Sequence, residues 1–342
     1  MFEDGFLKPA GKWNVMMLSL CPPGTDHLVV LDLEWNQNAF APNLSMPHEI
    51  IEIGAVRLNA DFSVADTLSL IVCPRVYRTL DRHIREVTGI TQEELENGMP
   101  FQAAFARLLS FAGEGACLCT WGRDDYPVLL RNIKFFQMNL PFSPPLNAQT
   151  VFAHLIAGNA GKQVGLHAAT ELLGLTPELP AHRAVNDALV TASLLPRLQA
   201  AWDAAAPEAR EGLCRALAQE SLIASSDVRS RMTHYQYQTD AIQDAALCAV
   251  RCPVCGGATQ TVIPFFDTGH ERYISLCACP AHDTALAQVH FKRAPSGKLI
   301  MHQRVFLADE QIRRDARRQH EEALKNPPRP RMHRRRTAPT PN

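Results

Sequence analysis

Three apolar runs within the first 72 residues decide the fold class. Residues 27–35 (HLVVLDLEW), 49–58 (EIIEIGAVRL) and 63–72 (SVADTLSLIV) are short and rich in β-branched residues. Loop signals separate them, so they are expected as consecutive strands that open a sheet. The period then changes. Residues 101–111 carry apolar side chains at helical spacing, 117–121 return to strand, and 126–136, 150–156, 167–173 and 183–198 are expected as helices. Strands first, then strands alternating with helices, make an α/β domain over residues 27–199.

The 342 residues suffice for a second domain. Residues 1–26 show no period and end in Cys21-Pro22-Pro23-Gly24, a lead-in. Residues 200–248, Ala-rich and charged at first and polar later, are expected as a helical connector. A small β-rich unit spans 249–310, with runs at 259–266, 272–279, 286–293 and 298–307. From 311 to 342 the chain is basic and Pro-rich and is expected to be disordered. With 46% hydrophobic and 20% charged residues, the composition is that of a globular protein and excludes a collagen-like fibre or a wholly disordered chain. The apolar stretch Val15 to Leu20 is far short of a membrane span, and Glu3 and Asp4 stand where a secretory leader carries basic residues. The expectation is a cytoplasmic protein with no membrane partner, whose ten cysteines are thiols or metal ligands and not disulfides.

Asp32 and Glu34 lie two apart on the first strand, so their side chains share a face. Like charges side by side in an apolar strand are costly unless a cation lies between them. Asp125 follows the later strand, with Asp124 beside it as an alternative. His182-Arg-Ala-Val-Asn-Asp187 opens a late helix and places Asp187 in its first turn, where the helix dipole favours a carboxylate. This many hard oxygen donors suit Mg²⁺ or Mn²⁺. Two such ions are a standard arrangement for displacement at a phosphodiester, and a neutral His182 is suited to take a proton from the attacking water.

With these residues in place the sequence resembles the DEDDh exonucleases, the family of RNase T, oligoribonuclease and the proofreading subunit of bacterial DNA polymerase III. The family motifs map onto Asp32/Glu34, Asp125 and His182/Asp187, with Asp125 favoured over Asp124 by its spacing from Trp121-Gly122. The start DLEWNQ, the second strand EIIEIGAVRLN, the segment Thr88 to Thr91 (TGIT) and the middle motif CTWGRDD point to the KapD-like and Eri-type branch. The resemblance implies an RNase H-like fold with a mixed five-stranded sheet flanked by helices. It also implies 3′-to-5′ hydrolysis of single-stranded RNA or DNA to nucleoside 5′-monophosphates, with two Mg²⁺ or Mn²⁺ ions and His182 as general base. By the same likeness Trp35, Asn36, Gly89 and Ile90 would line the terminal nucleotide. The rival reading is a non-catalytic nucleic-acid-binding or adaptor protein on the same fold. Retention of all four carboxylates and the histidine speaks against it.

Cys252-Pro-Val-Cys255-Gly256 has the form of a metal knuckle, and Cys277-Ala-Cys279-Pro-Ala-His282 offers the second half of a tetrahedral zinc site. Cys279 with His282 repeats the Cys-Pro-x-ligand pattern; Cys277 with Cys279 is the alternative. Either way a structural zinc ribbon is expected, because so small a β unit needs a staple. The formal charge of the chain is −1. From Arg313 onward, however, ten Lys/Arg face three acids, a surplus of seven, which leaves the first 312 residues at −8. The basic tail and the ribbon (Lys292, Arg293, Lys298, Arg304) are thus candidate contacts for nucleic acid or for a protein partner.

Overall fold

The computed structural model describes residues 20–325, apart from 22–23, 39–42, 44, 140, 159–162, 177–178, 225, 270–271 and 295. Most of the expected lead-in and the far end of the basic tail, with Arg334, Arg335 and Arg336, lie outside the described residues. The chain divides into two compact units, Met1–Ser225 and Ser226–Asn342.

In the first unit, β1 (His27–Asn36), β2 (Glu49–Leu58) and β3 (Val64–Cys73) form an antiparallel meander. Three further strands pair in parallel: β4 (Met99–Pro100) on β3, β5 (Ala116–Thr120) on β1, and β6 (Leu146–Asn147) on β5. The sheet order is β4-β3-β2-β1-β5-β6. The sheet is mixed, as expected, but it has six strands and not five. The edge strands β4 and β6 are two residues long, too short to leave a periodic trace in sequence.

Side-chain alternation along β1 divides the core in two. Leu28 and Val30 face a cluster with Phe152, Leu194 and Leu195, whereas Leu31 and Leu33 face one with Phe105, Leu108 and Leu129. The first cluster is built on α5 (Ala148–Leu155) and α7 (Ala184–Ala204), and the second on α3 (Phe101–Ala112) and α4 (Asp125–Phe135). Three shorter helices, α1 (Arg82–Thr88), α2 (Gln92–Glu96) and α6 (Leu166–Leu172), complete this part of the chain. The core of the first unit continues past residue 199. Helix α8 (Pro207–Ala224) sends Leu213 and Leu217 into the same core, and its Glu220 accepts hydrogen bonds from Asn147 Nδ2 at 2.9 Å and Thr150 Oγ1 at 2.8 Å.

The second unit is a five-stranded antiparallel sheet in the order β7-β11-β10-β9-β8. Its strands are β7 (Asp227–Met232), β8 (Gln260–Gly269), β9 (Arg272–Cys279), β10 (Asp283–Arg293) and β11 (Leu299–Leu307). Residues 227–232 therefore form an edge strand and not part of a connector; they pair only with β11, which explains their weak sequence pattern. Tyr273, Val289, Phe291 and Met301 fill one face together with Cys248 and Ala241 of the short helix α9 (Gln238–Ala241). The expectation of disorder from residue 311 is corrected as far as Lys325. Helix α10 (Glu310–Lys325) buries Ile312 and Ala316 and sets the His320 ring 4.9 Å from Phe266. Its heavy charge hides this narrow i, i+4 stripe in the sequence. Among the described residues no helix is long and apolar enough to cross a membrane.

Candidate active site

The register of β1 on β2 fixes the first half of the site: Asp32 lies opposite Gly54 and Glu34 opposite Glu52. Helix α7 begins directly above. A side chain at position 54 would overlap the backbone of Ala184 and Val185, so glycine is what lets the helix start reach the sheet. Glu52, 0% exposed, anchors that start. Its carboxylate accepts from Ala184 N at 3.0 Å, and Arg183 Nε lies 3.2 and 3.3 Å from its two oxygens. Arg183 Nη2 adds a contact at 3.1 Å. With the helix start held, His182 takes a left-handed backbone conformation (φ 62°) and its N–H donates to Asp187 Oδ2 at 3.1 Å.

Asp125 supplies the fourth carboxylate. It opens α4, is only 5% exposed, and accepts from Leu33 N at 3.0 Å, which ties it to the strand between Asp32 and Glu34. Asp124 is exposed and lies one residue outside the helix. Asp32, Glu34, Asp125, Asp187 and His182 line one cleft of about 250 Å³, with Trp121 and Arg123 also on its wall. Donor atoms of Glu34, His182 and Asp187 come within 4.8 Å of one another.

The cluster is electrostatically uncompensated. Burial, then the charges of Asp187, Glu52 and Asp125, push Glu34 up to about 8. Burial pushes Asp125 up to about 7 despite the Leu33 N–H. Asp32 is raised well above the ordinary carboxylate range by burial and then by Asp125, Asp187 and Glu34. Burial also raises Asp187, opposed by the His182 N–H and the nearby imidazole. Four carboxylates that resist ionisation side by side, all hard oxygen donors, are what a divalent cation stabilises.

The four residues expected at the terminal nucleotide are not brought together. Trp35 lines the cleft. Asn36 is 0% exposed, with Nδ2 donating to the carbonyls of Tyr77 and Thr79 at 2.9 Å and Oδ1 accepting from Asp81 N at 3.0 Å. A register shift between Glu34 and Trp35 breaks the alternation that would have put Asn36 beside the carboxylates. Ile90 is fully buried against Ile51, Leu80 and Leu95, so its side chain belongs to the core. Gly89 ends α1 at φ 70° and borders a second cavity with Pro180 and Arg183. Sequence reasoning passed over Glu52, Gly54, Arg183, and the Arg123–Glu220 pair at 2.7 Å that ties the cleft wall to α8.

The profile of the RNase T family, described as exonuclease, matches residues 29–195. Residues 29–195 resemble an exonuclease domain of the RNase T family. The expected likeness to KapD-type proteins is borne out: the "Probable 3′-5′ exonuclease KapD" of Bacillus subtilis is 28% identical over 173 residues, 50% of this chain and 83% of that protein. A DNA polymerase III of PolC type from Thermotoga maritima is 32% identical over 174 residues; the match spans 51% of this chain but only 12% of the polymerase. Among solved structures, the nuclease domain of 3′hExo bound to rAMP is 21% identical with a TM-score of 0.45, covering 51% of this chain and 93% of that one. The family match, residues 29–195, lies within the first unit, so the second unit has to be read from its own residues.

There, the structure brings Cys252, Cys255, Cys279 and His282 together, with ligand atoms within 4.8 Å of one another. Cys255 Sγ lies 3.9 Å from Cys279 Sγ, which lies 3.7 Å from His282 Nδ1. The CPVC turn closes through Gly256 N to the Cys252 carbonyl at 2.9 Å, with Gly256 at φ 69°. Against burial, the backbone N–H groups of Cys255 and Val254 hold the Cys252 thiol below its ordinary value. Three sulfurs and an imidazole fit tetrahedral zinc. Cys277 is buried on the sheet, its Sγ 3.4 Å from Ser275 Oγ and outside this group.

Proposed function

We propose that the exonuclease domain hydrolyses single-stranded RNA or DNA from the 3′ end and releases nucleoside 5′-monophosphates. The observation that carries this reading is the convergence of Asp32, Glu34, Asp125, Asp187 and His182 in one cleft. The four carboxylates would hold two Mg²⁺ or Mn²⁺ ions, which when bound lower the pKa of water and stabilise charge on the phosphate oxygens. The imidazole of His182, on a turn held by Asp187 and beside Glu34, accepts the proton of the attacking water. Water oxygen then bonds to phosphorus as the bond to the 3′ oxygen of the preceding nucleotide breaks, and that oxygen leaves with a proton. Trp35 offers a ring on which the terminal base can stack. In the second unit, Cys252, Cys255, Cys279 and His282 hold one structural zinc, a closed site with no position for substrate.

The test is a time course on matched 5′-labelled RNA and single-stranded DNA with Mg²⁺ or Mn²⁺. A ladder shortening from the 3′ end, with mononucleotides as product, is expected, and its absence in Asp32→Ala. Internal fragments, or activity unchanged by that substitution, would overturn the reading.

A further inference from the structure

The sheet of the second unit has one face that is apolar and buried at one end (Leu276, Leu286, Phe306) and basic toward the other. Tyr273, Val289, Phe291 and Met301 point into the core, so their neighbours Arg272, His290, Lys292, His302 and Arg304 share the opposite face. The register sets Arg272, His290, His302 and Ser230 in one row across four strands. At about 4.8 Å per strand the row spans roughly 14 Å. Lys292 lies two residues from the row along β10, and Arg304 two along β11. The imidazoles of His290 and His302 stack at 4.7 Å with 19° between planes, and Ser230 Oγ is 2.8 Å from His302 Nδ1. Burial and the charges of Lys292, Arg272 and Arg304 together hold the His290 imidazole below its ordinary value, a sign of how closely the cations crowd.

Two features say what this face is for. Among the described residues no Asp or Glu lies on it along β9, β10 or β11, although the chain as a whole has 35 acids. Helix α10 covers its apolar end, where Phe266 pairs with Ile274 and meets His320, whereas Arg272 and Lys292 at the other end are exposed. Arg272 in the row, with Lys292 and Arg304 two residues from it on neighbouring strands, sets positive groups at strand spacing, which complements a ligand that repeats its negative charge. We propose that Arg272, Lys292 and Arg304, with the stacked His290–His302 pair, form a second nucleic-acid contact that holds backbone phosphates of a single strand. This inference rests on the reading of the chain as a nuclease of single-stranded substrates.

The experiment measures binding of a labelled single-stranded oligonucleotide of about 16 nucleotides to the full chain by fluorescence anisotropy. Asp32→Asn is present throughout to stop cleavage, and the titration is repeated between about 0.05 and 0.2 M salt. Combined Arg272→Gln, Lys292→Gln and Arg304→Gln substitutions are expected to weaken binding about tenfold or more. They are also expected to flatten the slope of log K against log salt by about 2, since each phosphate contact on a single strand contributes about 0.7. The exposed single variant Lys292→Glu, read beside a thermal melt, keeps the test independent of folding. Unchanged affinity and slope in both variants would overturn the proposal, as would loss of binding to poly-glutamate with oligonucleotide binding intact. If wild type releases no mononucleotides while the triple variant still loses oligonucleotide affinity, the nuclease reading fails and this surface stands. If wild type is active and the triple variant binds as before, the nuclease reading stands and this surface fails.

Discussion

Arg183 and Glu52 are 131 residues apart in sequence, yet the guanidinium grips both oxygens of a carboxylate that is 0% exposed. The pair joins the middle of β2 to the start of α7, and through it the Asp32–Glu34 half of the site to the His182–Asp187 half. Arg183→Ala leaves Glu52 buried with only the Ala184 N–H to satisfy it. Since Arg183 is itself about one-third exposed, a loss of about 3 kcal/mol is expected, at the low end for a broken buried pair. The rate constant kcat should fall more than tenfold as His182 and Asp187 lose their placement. Glu52→Gln, which keeps acceptor and shape, should cost less on both counts. Chemical denaturation and steady-state kinetics check this; an Arg183→Ala protein as stable and active as wild type removes the brace.

Gly54→Ala is the smallest change that should separate the two halves. Its methyl group meets the backbone of Ala184 and Val185, not a flexible side chain, so the helix start has to move. Destabilisation of about 2 kcal/mol or more and a loss of activity of about a hundredfold are expected. The same substitution at Gly212, where a Cβ meets nothing within 4 Å and the backbone is not left-handed, controls for the loss of a glycine in general. Normal activity in the Gly54 variant would contradict this close approach of helix to sheet.

Metal-free protein should lose stability as pH rises. Glu34 and Asp125 are raised from 4.5 and 3.8 to about 8 and about 7. Between those limits the folded state binds protons that the unfolded state has released, so the stability these two groups contribute is full below about pH 4 and is lost progressively as pH rises toward 8. Thermal melts in EDTA should show this decline, and Mg²⁺ or Mn²⁺ should restore Tm at pH 8 while adding little at pH 5. A Tm in EDTA that is flat or rises over this range would refute the assignment of the cluster as an unneutralised cation site.

Asp125→Asn should trade function for stability. The amide oxygen can still accept from Leu33 N, while one charge leaves the cluster. Tm at pH 8 in EDTA should therefore rise by a few degrees and exonuclease activity fall by two orders of magnitude or more. An inactive variant of lowered Tm would point to a packing role instead.

For the zinc group, His282→Ala should drop bound zinc well below one per chain and lower the melting temperature, because His282 Nδ1 belongs to the group with Cys252, Cys255 and Cys279. Cys277→Ala should keep its zinc and lose only about 1–2 kcal/mol of packing. Metal analysis of the two purified variants decides; zinc lost from Cys277→Ala and kept in His282→Ala reverses the ligand choice.

Asp32, Glu34, Asp125, His182 and Asp187 were legible in the sequence because strand alternation and helix-start position fix where they point before any tertiary contact forms. Glu52, Gly54 and Arg183 were not, since their role exists only once α7 lies on β2. The burial of Asn36 and Ile90 was hidden for the same reason: it depends on a register shift and a local core, both tertiary features. Helix α10 and edge strand β7 were hidden by charge and polarity, because each buries too little to mark its period.

The pairing of Asp32 with Gly54 reaches beyond catalysis. If β1 slipped by one residue on β2, Leu31 or Leu33 would face the glycine, and Asp32 and Glu34 would turn toward Phe105 and Leu129. Two carboxylates would then sit in hydrocarbon beyond the reach of any cation, a penalty that no regained contact offsets. The acids that repel each other in the finished protein are therefore also what makes the misaligned sheet untenable. Strand alignment is thus favoured by the same carboxylates that are proposed to hold the cations.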